Sequence, residues 1–228
     1  MAAESFGPEL FAFLRELKAS NTREWFAANK ERYEEEVRGP ALDFVADFAP
    51  RLERISPHFV ADPRPVGGSL FRIHRDTRFS RDKSPYKSYT GVQFRHELGR
   101  DAHAPGFYLH LEPDACFAGA GVWHPDGTAL QRIREAIVAD PDAWRAAVGG
   151  KRFRERVRLG GDSLKRAPAG FDPAHKLIED LKRKDFICLR TYADGEVTAA
   201  GFLDAFAGTC TDATPLVRFL CGALDASF

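Results

Sequence analysis

Residues 72–87 hold the densest group of side chains in this sequence that could do chemistry. The segment carries six permanent cations against two carboxylates, although the whole chain has a formal net charge of zero. Two cations about 6 Å apart repel by roughly 3 kcal/mol at an effective dielectric constant near 20, so the cluster requires compensating anions. Those anions are either Asp and Glu side chains from elsewhere in the chain or a bound ligand.

The residue types in this segment suit recognition of a phosphate or carboxylate group. A guanidinium fork binds such a group through two parallel hydrogen bonds, and a lysine adds a compact charge. We expect the cations to converge on one anion, while two aspartates orient the guanidinium groups and a tyrosine hydroxyl donates a further hydrogen bond. The candidate ligand-binding residues are Arg72, Arg75, Arg78, Lys83 and Lys87, with Asp76, Asp82 and Tyr86. At least three of the five cations should lie around one solvent-accessible concavity.

Two histidines extend the candidate site. The alternation of apolar and polar residues around His74 and His110 predicts strands that place both imidazoles on one polar sheet face. If the protein is an enzyme, the cations would stabilise a developing anion and one of these histidines would carry the proton. A structural role is the commoner one for an isolated strand histidine. A metal site formed by these histidines and Asp76 is disfavoured, because no helical or loop spacing fixes three ligands.

Two other functions remain open for the basic residues. Residues 151–158 supply five more cations with one acid, so the two basic segments together could form a nucleic-acid or protein interaction module. Nucleic acid is the less favoured partner, because single-strand binders interleave cations with stacking rings and this second segment has only Phe153. The remaining alternative is purely structural, with residues 72–87 forming an ion-pair network that fixes the loop to neighbouring helices.

No cofactor is predicted. Residues 118–121 are Ala-Gly-Ala-Gly, without the Lys and Ser or Thr that a phosphate-binding loop requires. The four cysteines lack C-x-x-C or zinc-site spacing, which predicts reduced, mostly buried thiols. They are Cys116, Cys188, Cys210 and Cys221.

The composition predicts one domain over residues 1–228. Lys plus Arg and Asp plus Glu stand at 33 each, so no global field draws the chain to nucleic acid or to a membrane. No apolar run approaches the roughly 18 residues of a membrane span, and residues 1–10 lack the features of a signal peptide. We therefore expect a cytoplasmic protein that uses no membrane. The composition does not indicate an oligomeric state.

Hydrophobic periodicity predicts an α+β fold, with an antiparallel sheet of at least four strands flanked by N-terminal and C-terminal helices. An N-cap at Asn21 should begin the second helix, Gly39-Pro40 should end it, and Pro50 should kink or shorten the third. The predicted strands lie around residues 71–74, 92–95, 107–111, 115–123 and 185–192, and an ordered loop covers residues 77–86. Residues 151–159 fit a helix or a strand, and the tail from residue 198 predicts two helices.

One family resemblance accompanies these patterns. The sequence resembles a mainly bacterial family of hypothetical proteins with the signature R-x-x-R-D-x-R-F-x-x-[DN]-K-x-x-Y. The signature positions are met by Arg72, Arg75, Asp76, Arg78, Phe79, Asp82, Lys83 and Tyr86. Residues 21–40 and 164–184 are also similar to family patterns, so the resemblance covers most of the chain. It implies a size and a fold but no activity, because the family is a domain of unknown function.

Overall fold

The computed structural model describes residues 5–99 and 104–228, and within them the chain forms one six-stranded antiparallel sheet with helices packed on it. The strands are Phe59–Val60 (β1), Thr90–His96 (β2), Gly106–Leu111 (β3), Cys116–Val122 (β4), Arg158–Gly160 (β5) and Phe186–Tyr192 (β6). Their order across the sheet is β1-β2-β3-β4-β6-β5. The predicted α+β class and the sheet of at least four strands are confirmed.

The helices precede, interrupt and follow the sheet. They are Glu9–Ala19 (α1), Arg23–Ala28 (α2), Lys30–Arg32 (α3), the π-helical segment Tyr33–Arg38, Gly39–Ile55 (α4), Gly127–Ala139 (α5), Pro141–Gly149 (α6), Lys151–Arg156 (α7), Ile178–Leu181 (α8), Asp194–Val197 (α9) and Phe202–Ala223 (α10). Helices α4 and α10 contact each other and the sheet. No helix of the described residues is both long enough and apolar enough to cross a bilayer.

An aromatic cluster joins the two long helices to the sheet. Phe44 and Phe48 lie one turn apart on α4 and so share a face, and both contact Phe206 of α10, at 5.6 and 4.9 Å between ring centroids. Phe94 of β2 lies 4.6 Å from Phe48 on the same measure. All four rings are almost fully buried. The core therefore lies between the helices and one face of the sheet.

The period of two in β3 separates this core from an outer face. Phe107, Leu109 and Leu111 are completely buried, while Tyr108 and His110 point to the opposite side and stay partly accessible. The strand pairs with β4 as an antiparallel hairpin, as predicted. The hairpin thus places a tyrosine and a histidine on a face that the core does not use.

Two predictions about helix ends were wrong, those for Gly39-Pro40 and for the tail, and Pro50 does not shorten its helix. Gly39-Pro40 does not end a helix: the chain passes from the π-helical segment directly into α4, and Pro40 lies in the first turn of α4 just after that segment. Pro50 lies inside α4, which continues to Ile55 because Phe48 and Leu52 are anchored in the core. The tail forms α9 and a single 22-residue α10 that includes Pro215.

The predicted strand at residues 71–74 was also wrong. Only isolated bridges form there, from Leu70 to Val92 and from His74 to Tyr86, since the chain pairs briefly with β2 and then leaves the sheet edge. His74 is consequently exposed, and it does not share a sheet face with His110. The ambiguous residues 151–159 form both structures, a helix that ends at Arg156 and then strand β5.

Candidate functional site

The basic segment, residues 72–87, folds as a loop whose two ends are hydrogen-bonded to each other through their backbones. The backbone N–H of Arg75 donates to the carbonyl of Pro85 at 2.9 Å, and that of Lys87 donates to the carbonyl of Ile73 at 2.8 Å. Between these hydrogen bonds, residues 76–84 form a loop without helix or strand, which ends before the predicted bounds of 77–86 because Tyr86 pairs with His74. Tyr86 anchors its base, since the ring is buried and stacks on Phe26 with 4.1 Å between centroids.

Asn21 fixes the loop to the N-terminal helices. Its side-chain amide donates to the carbonyl of Tyr86 at 3.0 Å, and its side-chain oxygen accepts from the N–H of the same residue at 3.1 Å. The predicted N-cap role of Asn21 was wrong, because the hydroxyl of Thr22 caps α2 by accepting from the N–H of Trp25. The asparagine instead holds the backbone of Tyr86, at the base of the loop.

The two aspartates of the segment each hold one guanidinium group. Asp76 forms a bidentate pair with Arg78, 2.6 Å at the shorter contact, and Asp82 pairs with Arg75. Asp82 also accepts from the hydroxyl and backbone N–H of Ser84 at 2.6 and 2.9 Å. These hydrogen bonds, with the Arg75 charge, hold the pKa of the Asp82 carboxyl well below its usual range.

The other cations of the segment have no carboxylate partner among the described residues. Lys83 and Lys87 donate only to backbone carbonyls, those of Thr77 and Arg72, each at 2.9 Å. Arg72 and Arg81 form no ion pair with any described side chain. No cation of residues 72–87 is paired with a carboxylate that lies outside the segment within the described chain.

Lys87 is partly buried. Its ammonium group lies over the rings of Phe71 and Tyr89, 5.3 and 5.7 Å from their centroids, and these cation–π contacts favour the charged form. Burial, together with repulsion from Arg72, lowers the pKa of Lys87 below the ordinary lysine value. An anion bound beside this side chain would relieve both effects.

Two open clefts flank the loop. The first cleft, of about 500 Å³, is lined by Lys18, Asn21, Arg75, Asp76, Asp82, Ser84, Tyr86, Lys87, Ser88 and Tyr89. The second cleft, of about 670 Å³, is lined by Thr22, Arg23, Glu24, His74, Arg75, Thr77, Lys83, Pro85 and Tyr86. Both clefts therefore lie between the loop and the turn that joins α1 to α2.

Neither cleft gathers three of the five predicted cations. The first has Arg75 and Lys87, and the second has Arg75 and Lys83, so the expected single concavity with three of them is not found in either. The third cation comes from the helices instead, as Lys18 in the first cleft and Arg23 in the second. Sequence reasoning missed both, because their distance along the chain from residue 72 gave no signal of contact.

His110 belongs to a hydrogen-bonded chain next to the first cleft. Its Nδ1 lies 3.0 Å from the hydroxyl of Tyr108, its Nε2 lies 3.3 Å from Glu112, and Glu112 pairs with Lys18 at 3.3 Å. Burial lowers the pKa of His110, and the opposing effect of Glu112 is smaller. The lowered pKa favours the neutral imidazole, in which Nε2 donates to the Glu112 carboxylate and Nδ1 accepts from the Tyr108 hydroxyl. Tyr89, which lines the cleft, covers this ring at 4.4 Å between centroids.

His74 is placed differently, in the second cleft near the rings of Phe26 and Tyr86. The two histidines thus do not form one site. The disfavoured metal set of His74, His110 and Asp76 does not come together, and the described residues contain no cluster of three or more His, Cys, Asp or Glu side chains that could hold a metal ion. All four cysteines are within the described chain, where they are buried and carry free thiols.

The two basic segments lie at opposite edges of the sheet. Residues 72–87 leave the β1–β2 side, while residues 151–158 form α7 and begin β5 at the other edge. Three strands separate β2 from β5, or about 19 Å at the usual spacing between neighbouring strands. Arg152 is in addition paired with Asp212 at 3.1 Å. The geometry does not favour one continuous basic surface.

Comparison with known families gives one match. The model of a family described as conserved hypothetical protein (DUF2461) matches residues 9–219. Neither the curated proteins nor the solved structures include a match to this sequence.

Proposed function

The chain belongs to the DUF2461 family of conserved hypothetical proteins, and we propose that it binds a small ligand through a phosphate or carboxylate group in the first cleft. One observation carries the proposal. Within the described chain, no carboxylate from outside residues 72–87 compensates the cations of that segment. A structural ion-pair network would need such carboxylates, whereas a ligand site needs cations that remain available.

The donors that line the first cleft support this proposal. The Lys87 ammonium uses one of its three hydrogens on a carbonyl, so two remain for an anion. Arg75 uses one terminal nitrogen on Asp82, and the rest of its five donors stay available. Lys18 adds a third cation from α1; it pairs with Glu112 at 3.3 Å, but its side chain is 64% exposed and keeps two donors. A phosphate or carboxylate could therefore take charge-assisted hydrogen bonds from three directions.

Binding is better supported than catalysis. Tyr108 and His110 hydrogen-bond to each other next to the cleft, but neither lines it. Both imidazole nitrogens are already occupied, one by the tyrosine hydroxyl and one by Glu112. Among the residues that the structure describes, the arrangement supplies cations at the first cleft and no free base beside them.

A thermal-shift titration with inorganic phosphate and with malonate tests the proposal. A ligand present at about 100 times its Kd adds about 2.7 kcal/mol to stability, which raises the melting temperature of a chain of this size by roughly 5–10 °C. We expect such a rise for at least one of the two anions. If neither anion raises the melting temperature at millimolar concentration, the proposal is wrong.

Two charge-matched variants give the control. Lys87→Gln and Arg81→Gln each remove one positive charge from the same segment, but Arg81 is exposed, unpaired within the described chain and absent from both clefts. Lys87→Gln should reduce the anion-induced rise at least by half, and Arg81→Gln should leave it unchanged. Equal losses in the two variants would indicate general electrostatic attraction and would overturn the site.

A further inference from the structure

The two clefts have a common wall. Arg75 and Tyr86 line both of them, so the clefts lie on the two sides of one short piece of the loop. We infer that they form a composite site for a ligand with two anionic groups, one held by Lys18 and Lys87 and the other by Arg23 and Lys83, with Arg75 between them. This inference rests on the proposed function and names the class of ligand.

The two lysines of the loop have the same hydrogen-bonding pattern, although Lys83 is exposed and Lys87 is partly buried. Lys87 in the first cleft donates to the carbonyl of Arg72, and Lys83 in the second donates to that of Thr77, both at 2.9 Å. Neither is paired with a carboxylate of the described chain. Each ammonium is thus oriented by one backbone contact and keeps two donors for a ligand. The same chain segment offers one such lysine to each cleft.

Cations outnumber carboxylates in each cleft. The first has Lys18, which pairs with Glu112, and Lys87, and its two aspartates are engaged by Arg75 and Arg78. The second has Arg23 and Lys83 against Glu24, and Arg75, paired with Asp82, lines both clefts. Each cleft therefore suits one anionic group, and a single phosphate would leave one of the two lysines without a counter-charge.

The wall between the clefts is rigid, which fixes the spacing of the two anionic groups. Tyr86 is only 7% exposed, its ring stacks on Phe26, and Asn21 holds both its N–H and its carbonyl. The clefts have volumes of about 500 and 670 Å³, in the range of small-molecule sites and far larger than a lone phosphate requires. A linker with an anionic group at each end would span Tyr86 and Arg75.

Isothermal titration calorimetry with two kinds of probe, which measures stoichiometry and affinity, tests this inference. Methylphosphonate carries one anionic group, and alkane-α,ω-bisphosphonates carry two at a spacing set by the chain. We expect two methylphosphonate sites per protein, one bisphosphonate site, and one chain length that binds at least about tenfold tighter than methylphosphonate, as expected when two attachments act together. A length series with no optimum and a stoichiometry of two would overturn the inference.

Variants separate this inference from the proposed function. Lys83→Gln and Lys87→Gln should each weaken the best bisphosphonate about tenfold, and the control Arg81→Gln should not. If methylphosphonate binds and only Lys87→Gln weakens both ligands, the composite site is wrong and the single-anion site stands. If neither probe binds, the composite site is wrong, and the thermal-shift titrations with phosphate and malonate decide separately whether the single-anion site stands. The length series on the unaltered protein gives a decision even if a variant does not fold.

Discussion

At the scale of single residues, the surroundings of Lys87 predict how anion binding depends on pH. Lys87 binds an anion only while protonated, and burial together with Arg72 lowers its pKa below the ordinary value. Affinity for malonate, whose charge is constant above neutral pH, should therefore fall as pH rises, at a lower pH than an ordinary lysine with a pKa of about 10.4 would give. Calorimetric titrations over that range measure the effect.

Lys87→Arg is the matched control for this prediction. A guanidinium group stays charged throughout the range, so the variant should keep its affinity over the pH interval in which the wild-type affinity first falls, and only the later loss through Lys18 should remain. A pH dependence that is the same in both proteins would show that another group titrates. A wild-type affinity that does not change with pH would contradict the role of Lys87.

A second prediction at this scale concerns the pKa of the Asp82 carboxyl and its effect on stability at low pH. Hydrogen bonds from Ser84 and the charge of Arg75 lower the pKa of its carboxyl, so the contact stabilises the fold above the unfolded pKa and is lost as pH falls through the lowered folded pKa. An NMR titration of the side-chain carboxyl should give a midpoint below the ordinary aspartate value. Ser84→Ala should raise that midpoint. Ser80→Ala, a nearby serine that does not contact Asp82, should leave it in place.

At the scale of elements, the contact between the α1–α2 turn and the basic loop depends on one side chain. Asn21 pairs with both backbone groups of Tyr86, and leaving such partly buried groups unpaired costs about 1–3 kcal/mol each. Asn21→Ala should therefore lower the free energy of unfolding in urea and speed hydrogen exchange at the Tyr86 amide. Thr22→Ala should instead affect the α2 cap at Trp25. If Tyr86 exchange is unchanged in Asn21→Ala, the clamp does not hold the loop in solution.

The sequence predicted elements best where side-chain period and burial coincide. In β3 the alternation of apolar Leu109 with polar His110 was enough to predict both the strand and which side chains lie on its outer face. Prolines misled, because local propensity does not include tertiary contacts: Pro50 is tolerated in a helix whose neighbours Phe48 and Leu52 are buried. Residues 71–74 form isolated bridges and no full strand, because few of their backbone groups pair with a neighbouring strand. The alternation of side chains cannot reveal backbone pairing.

At the scale of the whole molecule, the candidate site was only half visible from the sequence. The excess of positive charge indicated the loop together with Lys83 and Lys87, which line the clefts, because these residues are neighbours in the chain. Lys18 and Arg23 come from helices that reach the loop only through tertiary packing. Their sequence context is that of ordinary surface cations on amphipathic helices, so local patterns carry no sign of convergence.

The prediction of a single domain also belongs to this scale, and unfolding tests it. One cluster of buried side chains joins α1 and α4 to the sheet and to α10, which should make urea unfolding a single cooperative transition. Trp25 reports on the N-terminal helices, and the completely buried Trp144 reports on α6 beside Phe186 and Phe219. A Trp123→Phe/Trp144→Phe variant isolates the first tryptophan, and a Trp25→Phe/Trp123→Phe variant isolates the second.

In each variant, the fluorescence midpoint should coincide with the midpoint measured by far-ultraviolet circular dichroism. The comparison is made within one protein, so destabilisation by the substitutions shifts both probes together and does not affect the result. A tryptophan signal that changes before the circular dichroism in either variant would show that one part unfolds separately, and the chain would then contain two domains. Coincidence in both variants would mean that the loop, the helices that supply Lys18 and Arg23, and the sheet are stabilised together. In that case anion binding in the clefts should raise the midpoint of both tryptophan signals equally.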